Sequence, residues 1–94
     1  MSEEIPIPSQ KALINACKLA CKEDKPIMMD YWVESHNSKV LIGVRDNEEK
    51  MLVRSEEEYT SPISKIFKVS DEYIIMTENS IYLVSSKIPS RKIN

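Results

Sequence analysis

Glycine is nearly missing from this chain: Gly43 is the only one in 94 residues. Loops that cradle phosphate through backbone amides depend on glycine. Neither GxGxxG nor GxxxxGK[ST] occurs, and HExxH, CxxC and GxSxG are absent too. Turns that need positive φ must use other residues, of which asparagine is the usual one. Asn37, Asn47 and Asn79 all fall in predicted turns. A lone glycine inside a strand, as Gly43 is, points to a bulge or to close approach by the helix or another backbone.

Histidine also occurs once. As a general base His36 would have no second imidazole and no identifiable nucleophile among the many serines. It reads more plainly as a polar turn residue. Nothing assembles a nucleophile, a base and an oxyanion site, so the expectation is no enzyme. The two cysteines, Cys17 and Cys21, are too few for a disulfide framework and fit a reducing compartment. A structural zinc site would need two further ligands. The plainer reading is two small core residues on one helix face. No cofactor and no metal are expected.

No apolar run approaches the roughly 18–20 residues that span a bilayer. The opening MSEEIPIPS is acidic and broken by proline, which does not suit a signal peptide. A cytoplasmic protein is expected, without membrane attachment. Fifteen acids against thirteen bases leave a net charge of −2. That balance is too even for an electrostatic nucleic-acid binder, or for a strong nucleic-acid mimic.

What is present suits one small globular α+β domain, 41% hydrophobic and 30% charged. Residues 1–8 read as a flexible arm, with Ile5 and Ile7 able to dock on the domain edge. Residues 9–86 form the domain, and 87–94 a frayed tail with three positive charges. Ser9 is the predicted N-cap of a helix from Gln10 to about Glu23, ended by the approach of Pro26. At ~100° per residue, Ala12, Leu13, Ala16, Cys17, Ala20 and Cys21 share the predicted buried face. Ile14 and Leu19 lie at its margins, and Lys11, Asn15, Lys18 and Lys22 line the opposite stripe.

Residues 27–34, IMMDYWVE, read as a strand. Ile27, Met29, Tyr31 and Val33 would face inward, and Met28, Asp30, Trp32 and Glu34 outward. Residues 39–45 and 50–55 read as a hairpin around Asp46 to Glu49. Ile63–Val69, Tyr73–Thr77 and Ile81–Ser85 read as a closing meander with turns at Ser70–Glu72 and Glu78–Ser80. The expected fold is an N-terminal helix packed on a curved antiparallel sheet of about five to six short strands, either a meander or a small barrel-like roll. A core this thin would gain from a homodimer.

The candidate binding residues are mostly acidic. Asp30 and Glu34 flank Trp32 on one strand face, ~13 Å apart. That is wider than the roughly 5–10 Å of glycosidase pairs, so an interface rim around an aromatic anchor is the better reading. Asp46, Glu48 and Glu49, with Glu56 to Glu58, offer acidic loops to a basic partner, though such loops often serve solubility alone. An alternative ligand pocket would use Tyr31, Arg45 and Arg54 between subunits, an aromatic plate with arginines suited to a nucleotide. The lysine stripe, joined by Lys87, Arg91 and Lys92, could touch phosphates, but a charge run on a helix is usually its solvated face.

Two segments, T-S-P-I-x-K-I at Thr60–Ile66 and T-E-N-S-I-Y-L at Thr77–Leu83, resemble the closing strands of small proteins from phages and mobile elements. The likeness covers about the last third of the chain and carries no catalytic or binding residues. It implies context: accessory proteins that bind and inhibit a host protein, such as a defence nuclease. A non-enzymatic inhibitor with a protein partner is thus the first expectation. An oligomeric nucleotide-signal module is the second, and a structural or nucleic-acid-associated subunit the third.

Overall fold

The computed structural model describes residues 5–93. The first four residues of the expected arm, and Asn94 of the expected tail, lie outside the described residues.

Helix α1 spans Gln10–Glu23, as the sequence predicts. Ser9 is extended, and its hydroxyl accepts from the Ala12 amide at 3.1 Å, satisfying one free donor of the first turn. The same hydroxyl donates to Glu72 Oε1 at 2.9 Å, tying the helix start to a strand far along the chain. Asp24 caps the other end at φ 56°, the left-handed position that glycine usually takes.

After α1 come β1 (Ile27–Met28), the one-turn helix α2 (Trp32–Ser35), β2 (Leu41–Val44) and β3 (Lys50–Val53). The chain closes with β4 (Ile63–Val69), β5 (Glu72–Thr77), β6 (Ile81–Ser85) and β7 (Ser90–Lys92). The α+β class, the hairpin β2–β3 and the meander β4–β5–β6 are as expected. The strands do not form one antiparallel sheet, however. They form two, ordered β1-β6-β5-β4 and β3-β2-β7, and no barrel closes. β1 joins β6, and β7 joins β2, in parallel.

The meander is central because it is apolar on both faces. Ile74, Met76, Ile81 and Leu83 pack with Ala12, Ala16 and Trp32 on the helix side. Their neighbours Ile75 and Val84, with Tyr73 and Tyr82 beside them, pack against Val40, Ile42 and Leu52 of the second sheet. The result is three layers: helix, four-stranded sheet, three-stranded sheet. Strands covered on both faces read as near-continuous apolar runs, here YIIM and IYLV.

Several local expectations are corrected. Only Ile27 and Met28 of IMMDYWVE pair as strand. The chain then turns, with the Trp32 amide donating to Met29 O, and α2 follows. The Ser35 hydroxyl donates to Trp32 O at 2.6 Å and accepts from the Ser85 amide at 2.9 Å, which fastens α2 to β6. Met29 and Val33, expected inside, are exposed, whereas Trp32, expected outside, is only 3% exposed. Ile5 and Ile7 are exposed rather than docked; the arm is held instead by Trp32 Nε1 donating to Pro6 O at 2.7 Å.

The helix is rolled about its axis relative to the predicted face. Ala12 and Ala16 are buried with Leu19 and Ala20 beside them, while Leu13, Cys17 and Cys21 are exposed. The stretch read as a frayed tail carries β7, anchored by buried Ile88 and by the Ile93 amide donating to Val44 O. Positive φ falls on Asp24, Ser38, Glu48 and Ser70, not on asparagine. Gly43 sits in an unbroken register, and what crowds it is side chains rather than the helix or another backbone: a Cβ there would lie 2.5 Å from Ile93 Cδ1 and 2.9 Å from Val53 Cγ2.

Candidate protein-binding groove

The predicted site residues separate into three groups. Trp32 belongs to the helix-side core, its ring edge-on to His36 at 4.4 Å. It is unavailable as a surface anchor. Asp30 remains exposed, but Glu34 is engaged by Arg54 at 2.9 Å. The Arg54 guanidinium also donates to Glu58 and to the Asp30 carbonyl, and sits 5.0 Å above the Tyr31 ring. The Glu58 hydrogen bond, opposed by desolvation and supported by Glu34, raises the Arg54 pKa further. Three of its five N–H donors are thus occupied within the chain. The third group, Asp46, Glu48 and Glu49, is exposed at the far end of the hairpin, with Asp46 3.5 Å from Lys92.

Within one chain, Tyr31 does not share the cleft that Arg45 and Arg54 line. Tyr31 is buried beneath Arg54 and packs edge-on against Tyr82, with centroids 5.5 Å apart. Burial raises its pKa, the Arg54 charge opposes this, and Tyr82, Asp30 and Glu58 add to it. Tyr82 is raised by burial first and Asp30 second. Arg45 and Arg54 do line one broad cleft on the outer face of the second sheet, together with Lys39, Tyr59 and Arg91. Arg45 Nε is buried there without a hydrogen-bond partner among the described residues. No three His, Cys, Asp or Glu side chains among the described residues converge to hold a metal ion. No helix among them is long and apolar enough to cross a membrane.

The feature that the sequence reading missed lies on the opposite side of the molecule. α1 packs over β5, β6 and β1. A helix is about 10–12 Å across with its side chains, and strands lie about 4.8 Å apart, so one helix cannot roof four strands. β4 is left as an overhanging edge. Phe67 pairs with Ile74 and so shares the helix side; Ile66 pairs with Ile75 and faces the other way. Both are half-exposed, at 39% and 36%.

Between α1 and β4 runs a groove of about 560 Å³. Leu19, Phe67, Val69 and Ile74 form its apolar lining, and Lys18, Lys22 and Lys68 also line it. Among the described residues no carboxylate lies within ion-pair distance of these lysines or of Lys65. Nor does any loop or helix backbone there hydrogen-bond to Ile63–Val69. The sequence held one signal of this. Adjacent Ile66 and Phe67 make a strand apolar on both faces, yet lysines flank them, a pattern suited to an edge. No family model, no curated protein and no solved structure matches this chain.

Proposed function

We propose that this chain is a non-enzymatic protein-binding module that captures an extended segment of its partner along β4 and the adjoining groove. The observation that carries the reading is the seven-residue edge strand with apolar side chains exposed on both faces. Such an edge is a template for strand addition, in which main-chain hydrogen bonds supply affinity and alternate side chains supply specificity. A phenylalanine buries roughly 150–250 Å². Covering the 39% of Phe67 left open contributes about 2 kcal/mol at ~25 cal/mol per Å². Ile66 adds on the other face.

The likeness of Thr60–Ile66 and Thr77–Leu83 to small phage proteins supports reading the capture as inhibition of a host protein, a defence nuclease being one such target. The test is a photo-crosslinking phenylalanine analogue placed at position 67, with the exposed Lys50 position as control. One adduct formed at position 67 and not at position 50 supports the module. Equal labelling at both positions, or none at 67, overturns it.

A second reading, a small-anion site, is supported by the unpartnered Arg45 Nε in the cleft that Tyr59 and Arg91 also line. A buried donor without an acceptor is unfavourable by about 1–3 kcal/mol, which a bound phosphate oxygen would offset. Thermal shifts with pyrophosphate and with nucleotides, lost in Arg45→Met, would move the assignment there.

A further inference from the structure

Resting on the binding reading above, we infer that the partner segment is acidic: an extended stretch whose groove-facing side chains mix apolar residues with aspartate or glutamate, added to β4 as a fifth strand of the larger sheet. An added strand presents alternate side chains to opposite faces. One set enters the groove, where Leu19, Phe67, Val69 and Ile74 offer apolar contact. Lys18 and Lys22 of α1 line this groove, Lys65 shares the Phe67 face of β4 through its pairing with Met76, and Lys68, paired with Tyr73, projects with Ile66 to the other face. Three ammonium groups on the groove side, with Lys68 beside Ile66 on the other face, have no carboxylate partner among the described residues and favour a segment that brings its own.

The same charges disfavour a second copy of this chain as the occupant. Two β4 edges paired about a two-fold axis would bring both copies of Lys65 and Lys68 onto one ladder that holds no acid, and like charges repel across a strand pair. The apolar lining and the open strand edge, in turn, suit a peptide better than a phosphate backbone, which offers neither apolar side chains nor strand hydrogen bonds.

The probe is a short capped peptide with threonine at every second position and valine and glutamate taking turns at the positions between, flanked by terminal prolines, compared with its lysine counterpart and with a version N-methylated on alternate amides. Amide chemical shifts of the whole chain give both site and affinity. The glutamate peptide is expected to shift Ile63–Val69 and the Asn15–Lys22 turns of α1. The lysine and N-methylated peptides should bind at least about tenfold more weakly. Lys22→Glu and Lys65→Glu together should reverse the preference between the two charged peptides, a result that mere unfolding cannot give. Raised salt should weaken the glutamate complex. Equal affinity for both charged peptides, or shifts confined to other surfaces, overturns the acidic-strand assignment. So does a stable dimer that the peptide cannot compete with, or preferential binding of an oligonucleotide in the same groove. If the peptide fails while the position-67 adduct still forms, the partner is a protein of other chemistry. If both fail, the binding reading falls with it.

Discussion

Trp32→Ala should remove about a third or more of the domain's stability, because this residue is core and not surface. Trp32 is 3% exposed, packs with Ala12, Ala16, Ile74 and Leu83, meets His36 edge-on and donates Nε1–H to Pro6 O. Truncating a buried tryptophan to alanine typically costs about 3–5 kcal/mol. A domain of this size has only about 5–10 kcal/mol in total. At about 4–8 °C per kcal/mol, the midpoint should fall by roughly 12–40 °C. Trp32→Phe keeps a ring in the cluster but loses the bond to Pro6, so it should cost less. Circular dichroism melts measure both variants. Because Trp32 is the only tryptophan, native fluorescence is an independent check: emission should be blue-shifted and red-shift on unfolding. A Trp32→Ala protein melting within a few degrees of the parent, with parent emission already that of solvated tryptophan, would refute the buried placement. It would also restore the outward anchor that the sequence suggested.

Ser9→Ala removes both the cap on Ala12 and the donor to buried Glu72; a loss of about 1–3 kcal/mol is expected in denaturant melts, more than a cap alone gives. Tyr31 and Tyr82 have pKa values raised mainly by burial, so the folded state holds their phenolic protons more tightly than the unfolded chain. Their contribution to stability is therefore intact below pH about 10 and lost as pH climbs through the raised values. Phenolate absorbance should show late-titrating tyrosine that Tyr31→Phe partly removes, and Arg54→Met should move Tyr31 later still, because the Arg54 charge lowers it. Cys17 and Cys21 are free and exposed; both should react with a thiol reagent in native buffer, and Cys17→Ser should change stability by less than about 0.5 kcal/mol.

The C-terminal half was legible because its strands are long, apolar and bounded by turns. Ile63–Val69 and Ile81–Ser85 fall where their composition puts them, and Ser9 caps where a serine before an apolar period should. The errors share a physical cause: tertiary contacts overruling local preference. IMMDYWVE has the composition of a strand, yet the Ser35 hydroxyl, bonded to the Ser85 amide 50 residues away, holds Trp32–Ser35 as a helical turn. The roll of α1 could not be read from its own period, since apolar residues occupy more of its circumference than the sheet covers. Which part is covered was decided by the small side chains Ala12 and Ala16. β7 has three exposed polar residues and no strand signal of its own; Ile88 and Ile93 on either side bring it to β2. The candidate site was least legible, because an edge strand is defined by the neighbour it lacks, and Arg54 pairs with two of the carboxylates that looked available, Glu34 and Glu58.

Amide hydrogen exchange of the chain, alone and saturated with the partner caught at position 67, tests the central claim most directly. New protection should concentrate in Ile63–Val69, with a smaller effect along the Asn15–Lys22 side of α1 and none in the Asp46–Glu49 turn. Protection centred on Asp46–Glu49 or Asp30, with β4 exchanging as freely as before, would contradict it and return the binding surface to the acidic loops.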